Sequence, residues 1–243
     1  MKVIIVNDFK DVGAKAAEIV IDKVKVKEDL VLGLATGKTM IPFYKKLVYI
    51  IKRDRVDFTS VKTFNLDEYI GLSRENKNSY FYYMRKNFFD KVDIDMENFN
   101  FLDGKAKDFD LECKRYEDKI KICGGIDIQI LGIGRDGHIG FNEPRSSFKS
   151  RTRKVLLSEV TRKDNSKSFG GKISKVPKTA LTMGISTIMS ARKIILLVFG
   201  KDKAGIVHRF LHGRVEENIP ASVLHKHEKV IVVLDKAAAS ELD

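Results

Sequence analysis

The sequence predicts a doubly wound α/β fold, a mostly parallel sheet with helices on both faces, and three observations lead to it. Short apolar runs alternate with segments of helical periodicity along the whole chain of 243 residues, as expected when helices connect parallel strands. The runs ILLVF and VIVVL show no polar alternation, which is typical of strands buried on both sides. No Ser/Gly/Pro-rich linker and no internal repeat divides the chain, so residues 1–243 are predicted to form a single domain.

Each element is predicted from its local pattern. Apolar runs predict strands, and apolar residues spaced by three or four positions predict helices. Pro42, shortly after Thr39, is a further signal for the start of a helix. In chain order, the predicted strands are 3–6, 30–34, 61–66, 126–131, 154–157, 193–199 and 229–234, and the predicted helices are 12–24, 42–53, 78–89, 109–122 and 201–212.

The composition is that of an ordinary globular protein, with 43% hydrophobic and 32% charged residues. No apolar stretch approaches the roughly 20 residues that a membrane span needs. The start, MKVIIVNDFKD, turns polar before it reaches the apolar run of about 7–15 residues found in a secretory signal. A cytoplasmic location is therefore predicted. Cys113 and Cys123 fall in one predicted helix, which separates them by about 15 Å and argues against a disulfide.

The net charge of +12 raises the question of a nucleic-acid partner. The lysines are scattered along the chain and alternate with acids, as in RYEDKIK, and no RNA-binding aromatic signature or zinc-finger spacing is present. We therefore expect no nucleic-acid partner. A solvated basic surface and a pocket for a phosphate-bearing metabolite both remain open.

The segment ATGKT follows the second predicted strand. It lacks the spacing of a nucleotide P-loop, because only three residues separate Gly33 from Gly37. A Gly/Thr-rich turn before a helix can still bind an anion through free backbone N–H groups and the helix dipole. A plain turn with Thr39 as helix cap is the alternative, and the turn alone does not distinguish them.

Two adjacent acids, Asp67 and Glu68, follow the third predicted strand. In extended chain, successive side chains point to opposite faces, so at most one of the two can face a given ligand. The alternative is that they cap a turn or a helix.

The richest segment, GIGRDGHIGFNEP, follows the fourth predicted strand. It contains G-x-G-x-x-G, but no helical periodicity follows, which argues against a dinucleotide site. It also places His138 between Asp136 and Glu143 on a glycine-rich loop. An imidazole has a pKa suited to proton transfer near neutrality, and flanking carboxylates can orient it and stabilise its charged form. This pattern favours a catalytic histidine.

Other chemistries have weaker support. The G-x-S-x-G elbow of serine hydrolases is missing. His225 and His227 would share one face of a strand, yet no cysteine or third histidine accompanies them, so no metal site is predicted. His208 and His212, four residues apart on a helix, are interpreted as a surface or packing pair.

Taken together, these residues resemble the glucosamine-6-phosphate deaminases, also called isomerases. The resemblance spans nearly the whole chain and implies the Rossmann-like fold shared with 6-phosphogluconolactonases. It rests on the motifs LGLATGKT, TFNLDEYIGL, NSYFYYMRKNFFD, GIGRDGHIGFNEP, SSFKSRTR, VPKTALTMGI and FGKDKA.

The resemblance implies a role for each of four acid/base residues. Asp67 takes the position of the group that moves a proton between C2 and C1 of the sugar, and His138 that of the ring-opening group. Asp136 and Glu143 are its partners. The implied phosphate-binding residues are Thr36, Gly37, Lys38, Thr39, Lys167 and Lys203.

Two of the phosphate positions depart from the family pattern. Lys38 stands where glycine is usual, and Lys167 stands where the family has an arginine. A lysine offers a point charge in place of a bidentate fork, which weakens phosphate binding. All four acid/base positions are intact.

The reaction implied is the conversion of glucosamine 6-phosphate and water to fructose 6-phosphate and ammonia. No hydride moves, so no cofactor or metal is expected, and the only partner expected is the sugar phosphate. A 6-phosphogluconolactonase-like hydrolase is the main alternative, followed by a sugar-phosphate-sensing regulator and an NAD-dependent oxidoreductase. The sequence does not decide between a monomer and a homo-oligomer.

Overall fold

A central parallel sheet and a small antiparallel sheet make up the β-structure of the protein, a computed structural model that describes residues 1–242. The ten strands are Lys2–Val6 (β1), Val31–Leu34 (β2), Lys62–Asn65 (β3), Asp67–Tyr69 (β4), Phe99–Asn100 (β5), Ile128–Leu131 (β6), Arg153–Leu156 (β7), Thr179–Thr182 (β8), Ile194–Val198 (β9) and Val230–Asp235 (β10). Seven of them form the central sheet in the order β1-β10-β9-β6-β2-β3-β5, with every neighbouring pair parallel. The fold class predicted from the sequence is confirmed.

Continuous apolar runs form the middle of this sheet. All five residues of β9 and all four residues of β2 and of β6 are buried, because helices cover both faces. β1, at the edge, leaves Val3 and Ile5 exposed.

Seven helices connect and cover the strands, and each of the five predicted helices is present. The first and fourth begin at aspartates, because the side chains of Asp8 and Asp108 accept hydrogen bonds from backbone N–H groups in the first turn. The last predicted helix begins as a short 3₁₀ turn, Lys201–Lys203. The helices are Phe9–Val24 (α1), Met40–Asp54 (α2), Tyr80–Asn87 (α3), Phe109–Ile122 (α4), Glu159–Asn165 (α5), Ile185–Met189 (α6) and Ala204–His212 (α7).

The small sheet, with the order β4-β8-β7, was not predicted as a separate unit. Its strands are antiparallel, have three or four residues each and carry mixed polar sequences. The predicted strand 154–157 corresponds to β7 and therefore belongs here, outside the parallel sheet. The pairing of Asp67 in β4 with Thr182 in β8 fixes the position of this acid beside the central sheet.

The order of strands creates a crevice at the carboxyl ends of β2 and β6. β2 lies between β6 and β3 in the sheet. From β2 the chain passes to β3, away from β6, whereas the strand on the far side of β6 is β9. Connections that leave neighbouring strands in opposite directions open a gap, and in α/β sheets ligands bind there.

Two further predictions concern the cysteines and the membrane. Cys113 is buried and Cys123 half-buried, and both are free. Within residues 1–242, no helix has the length and apolar character needed to cross a membrane.

Candidate active site

A cavity opens at the crevice between β2 and β6. The chain segments that follow β2, β3, β6 and β9 all reach it, and α3 and α5 close its sides. Its lining consists of Ala35, Thr36, Gly37, Thr39, Met40, Leu66, Asp67, Tyr80, Gly132, Ile133, Gly134, His138, Gly140, Phe141, Thr161, Asp164, Asn165 and Lys203.

One end of the cavity is an anion-binding turn between β2 and α2. Gly37 has φ of 104°, a left-handed conformation that only glycine adopts readily, so the chain can turn sharply into the helix. Within residues 1–242, the backbone N–H groups of Gly37, Lys38 and Thr39 donate no hydrogen bond, and the Thr39 side chain does not cap α2. These donors and the N-terminus of the helix remain available for an anion.

A lysine also lines the cavity. Nζ of Lys203 donates a hydrogen bond to the carbonyl of Ile133 at 2.8 Å, which holds the side chain along the loop after β6. Burial lowers the pKa of Lys203 below its ordinary value, and the nearby charge of Arg135 acts in the same direction. An anionic ligand would favour the charged form of this ammonium group, as the nearby Asp202, Asp164 and Asp136 also do.

The two adjacent acids of β4 point to opposite sides, as predicted. Asp67 lines the cavity, whereas Glu68 turns away from it. Oε1 of Glu68 accepts hydrogen bonds from the backbone N–H of Tyr69 (2.8 Å) and of Tyr80 (3.0 Å), and Oε2 accepts one from Phe81 (2.9 Å). Glu68 therefore anchors the start of α3, and Asp67 is left for a ligand.

Both carboxyl groups are buried, with 6% of Asp67 and 3% of Glu68 exposed. Burial raises the pKa of Asp67 well above its ordinary value, and the charge of Glu68 raises it further. Burial also raises the pKa of Glu68 to about 7, although its three backbone hydrogen bonds favour the charged form. A carboxyl group with a raised pKa is a stronger base once it ionises, as proton abstraction from carbon requires.

The histidine of the glycine-rich loop faces the same cavity, and its packing explains one of the glycines. A Cβ on Gly134 would lie 2.2 Å from both Nδ1 and Cε1 of His138, so only glycine lets the imidazole fold back over the loop. The backbone N–H of Gly134 also donates to the carbonyl of His138 at 2.9 Å. No helix follows the loop before α5, which agrees with the argument against a dinucleotide site.

Two acids lie near the imidazole, outside the cavity lining, and one of them contacts it. Nδ1 of His138 lies 2.7 Å from Oδ1 of Asp136, in a short contact that is not well aligned for a hydrogen bond. Burial acts to raise the pKa of Asp136, but the close, charged imidazole of His138 and the backbone N–H of His138, which donates to Oδ1 at 3.2 Å, outweigh this and bring the pKa to about 2. The Glu143 carboxylate accepts hydrogen bonds from the backbone N–H (3.2 Å) and the hydroxyl (3.1 Å) of Ser158, the residue that caps α5.

α5 and two aromatic side chains complete the enclosure. Nδ2 of Asn165 donates to the Tyr69 hydroxyl at 2.9 Å, and the Tyr80 hydroxyl donates to the same oxygen at 3.3 Å. The ring of Tyr80 stacks on Phe141 with 5.8 Å between centroids. These contacts connect α5 to β4 and α3, and the stacking on Phe141 joins this wall of the cavity to the glycine-rich loop.

The comparison with known protein families agrees with this architecture. A family model described as glucosamine-6-phosphate isomerases/6-phosphogluconolactonase matches residues 9–233. The chain belongs to this family.

Proteins of similar sequence align with this chain from end to end. A glucosamine-6-phosphate deaminase of Clostridium botulinum (strain Langeland) is 49% identical over 242 residues, which covers 100% of this chain and 99% of the relative. Its counterpart in Clostridium acetobutylicum is 46% identical over 242 residues, with full coverage of both chains. The resemblance predicted from the motifs is confirmed.

Solved structures show the same fold. A monomeric glucosamine-6-phosphate deaminase superimposes with a TM-score of 0.97 at 46% identity, covering 99% of this chain and 100% of that chain. The 6-phosphogluconolactonase of Trypanosoma cruzi superimposes with a TM-score of 0.77 at 20% identity, covering 99% and 96%, which shows a shared fold.

The site residues predicted from the sequence fall into three groups according to their position relative to the cavity. The cavity lining includes Thr36, Gly37, Thr39, Asp67, His138 and Lys203. Asp136 and Glu143 reach the imidazole from outside the lining. Lys38 and Lys167 are exposed and do not line the cavity, so for Lys38 only the backbone N–H is placed to bind an anion.

The histidine patterns have structural explanations. His225 lies in the 3₁₀ helix Pro220–Lys226 and not on a strand, so the expectation that it shares a strand face with His227 was wrong. Nε2 of His225 and Nε2 of His227 each lie 2.7 Å from a different carbonyl, that of Phe210 and that of Ala191. Asp136, His138 and Glu143 each place one possible metal-ligand atom within 4.8 Å of the others, a spacing that the imidazole–carboxylate contacts also require.

Some functional residues were missed by sequence reasoning. Tyr80, Thr161, Asp164 and Asn165 all line the cavity. Three of them come from α5, whose sequence EVTRKDN carries no apolar stripe that would have predicted a helix. The spacing Thr161 to Asn165 places both residues on one face of a helix, a signal that becomes visible only when the helix is known.

Proposed function

We propose that this protein converts glucosamine 6-phosphate and water to fructose 6-phosphate and ammonia. One observation carries the proposal: a single cavity combines an ionisable histidine, a buried carboxyl group with a raised pKa and an anion-binding turn with its lysine. The names of the full-length relatives support the same substrate.

The phosphate binds first in this mechanism, at the end of the cavity that carries the turn. The N–H groups of Gly37, Lys38 and Thr39 and the ammonium group of Lys203 compensate its charge of about −2. Binding energy from this remote group orients the sugar for the reaction at C1 and C2.

His138 then opens the sugar ring. It takes the proton from the C1 hydroxyl and returns a proton to the ring oxygen, which breaks the C1–O5 bond and leaves the open-chain aldehyde. The ionised Asp136 stabilises the imidazolium form during this exchange, and Glu143, fixed by Ser158, keeps the cluster in place. A neutral group at position 136 would remove this stabilisation.

Asp67 then moves the carbon-bound proton. It takes the proton from C2 and delivers it to C1, while O1 gains a proton and the amine loses one. The product has a CH₂OH group at C1 and an imine at C2. Addition of water to C2 gives a carbinolamine, which releases ammonia and leaves the ketone of fructose 6-phosphate. The aldehyde carbon is reduced as C2 is oxidised within the same molecule, so the reaction requires no redox cofactor.

The lactonase alternative differs in the need for Asp67. Hydrolysis of a lactone breaks an ester and moves no carbon-bound hydrogen, so a buried base at this position has no function in it. The lactonases among the similar structures are no more than 20% identical to this chain and therefore support the fold alone.

The test is to incubate the purified protein with glucosamine 6-phosphate and to measure ammonia and fructose 6-phosphate together. We expect equal amounts of the two, and no ammonia from the Asp67→Asn variant. Galactosamine 6-phosphate and 6-phosphogluconolactone are assayed in parallel. Lactone hydrolysis without ammonia release from either aminosugar would favour the alternative. The cytoplasmic location stays a prediction that cell fractionation tests.

A further inference from the structure

The cavity has fewer cations than its proposed ligand requires. Within residues 1–242, Lys203 is the only lysine or arginine in the lining. Lys167, expected to be the second phosphate ligand, is exposed in the 3₁₀ helix Ser166–Phe169 and does not reach the cavity. A phosphate with a charge of about −2 would therefore have one ammonium group and backbone N–H groups as partners.

An arginine stands at the mouth of the cavity, next to its lining. Arg135 directly follows Gly134, which lines the cavity, and its guanidinium contacts the carboxylate of Asp164, which lines the cavity from α5. Nε of Arg135 donates to Oδ2 of Asp164 at 3.3 Å, and Nη2 donates to Oδ1. The guanidinium therefore already presents its two-pronged donor edge to an anionic group on the cavity wall.

Two further observations place Arg135 near the phosphate end. Its positive charge contributes to the lowered pKa of Lys203, after burial, so the two cations share one electrostatic field. Lys203 is bonded to the carbonyl of Ile133, two residues before Arg135, so both side chains flank the same short loop. The Arg135 side chain is 54% exposed, so the surrounding protein leaves room for it to adopt another rotamer.

We propose that Arg135 is a direct ligand of the substrate phosphate and that Asp164 holds its guanidinium at the cavity mouth until the phosphate displaces the carboxylate. A dianion attracts the guanidinium more strongly than a carboxylate does, and a phosphate accepts the same two-pronged donor edge. Arg135 would thus provide an arginine–phosphate contact in a chain where Lys167 takes the place of the family's arginine. The proposal rests on the proposed function for the identity of the sugar, but its phosphate contact does not depend on deamination.

Variants of the two partners separate this role from a structural one. If the ion pair only joins the glycine-rich loop to α5, Arg135→Gln and Asp164→Asn remove the same contact and have the same effect. If Arg135 binds phosphate, the two variants have opposite effects, because Asp164→Asn removes the competitor of the phosphate. Arg85→Gln is the matched control. Nε of Arg85 lies 2.7 Å from Oδ1 of Asp90 in an exposed ion pair, and neither residue lines the cavity.

The experiment measures the dissociation constants of fructose 6-phosphate and inorganic phosphate by calorimetry, and KM and kcat for glucosamine 6-phosphate. We expect Arg135→Gln to raise both dissociation constants and KM roughly tenfold or more, the loss typical of a charged hydrogen bond. Asp164→Asn should lower the dissociation constants, Arg135→Lys should fall between wild type and Arg135→Gln, and Arg85→Gln should match wild type.

Each outcome decides the proposal. Equal weakening of phosphate binding by Arg135→Gln and Asp164→Asn, or an unchanged affinity in Arg135→Gln, would overturn it. If Arg135→Gln does not fold, Arg135→Lys decides: weaker phosphate binding supports the proposal, and an affinity equal to that of the wild type overturns it. If the wild type releases no ammonia while phosphate affinity still depends on Arg135, the proposed function fails and the phosphate ligand stands.

Discussion

Replacing Asp67 with Asn should stabilise the protein, and the gain should grow as the pH rises. The carboxyl group is buried, and within residues 1–242 it accepts no hydrogen bond from the protein. Its pKa in the folded protein is raised by burial and by Glu68. Asn has nearly the same shape but no charge to bury, so the substitution removes the cost of ionisation and leaves the packing intact.

The sign and size follow from proton linkage. Below the unfolded pKa of about 3.9 both states hold the proton, and wild type and variant differ little. Above it the unfolded chain loses the proton while the folded protein keeps it, so the wild type loses about 1.4 kcal/mol of unfolding free energy per pH unit. The loss ends when the pH passes the raised pKa of the folded protein. For a chain of this size, each pH unit corresponds to roughly 3–6 °C in Tm.

The assay compares urea and thermal unfolding of wild type and Asp67→Asn at about half-unit steps from roughly pH 5 to pH 8. Glu68 titrates in both proteins and its charge contributes to the raised pKa of Asp67, so the difference reports the coupled pair. Asp57→Asn is a control of opposite sign, because hydrogen bonds from Thr59 lower the pKa of Asp57. A difference between wild type and Asp67→Asn that stays constant with pH would show that Asp67 is not held with a raised pKa.

Four further predictions address the site. His138→Gln should slow turnover of the closed sugar by a factor of about 100 or more but affect an open-chain analogue much less, and equal losses on both would exclude a ring-opening role. Lys203→Ala should raise KM by roughly tenfold or more with a smaller loss in kcat, and an unchanged KM would remove Lys203 from the phosphate site. Gly134→Ala should reduce kcat by about 100-fold because the methyl group would displace the imidazole, whereas Gly205→Ala, whose Cβ would meet only a Glu241 oxygen at 3.6 Å, should be close to wild type in the same assay. Treatment with a chelator should leave ammonia release unchanged, and a loss restored by a divalent cation would show that the cluster around His138 holds a metal ion.

Much of the fold could be predicted because its signals are local. The fully apolar runs of β9 and β10 identified buried parallel strands, and helical periodicity identified α1 and α4. The small antiparallel sheet could not be predicted in the same way. Its strands have three or four residues each and are polar in part, and only their pairing with one another, far apart in the chain, makes them strands.

The site shows the same division between local and distant information. The opposite directions of Asp67 and Glu68 follow from the geometry of any extended segment, and the position of His138 between two acids is visible in one motif. The contact between Arg135 and Asp164 joins residues 29 positions apart. It depends on α5, which is short and has no apolar stripe, so nothing in the sequence indicated that these two residues meet.

The antiparallel pairing of β4 with β8 has a consequence for how the two adjacent acids can change. A slip of β4 by one position would place the longer Glu68 side chain in the cavity and leave the N–H groups of Tyr80 and Phe81 without their acceptor. The reactive acid and the anchoring acid are therefore not interchangeable, although they are neighbours of the same charge. Exchanging the two, by Asp67→Glu together with Glu68→Asp, would damage the cavity and the start of α3 at once. Within this pair, a change at position 67 therefore costs the reaction, whereas a change at position 68 costs the start of α3.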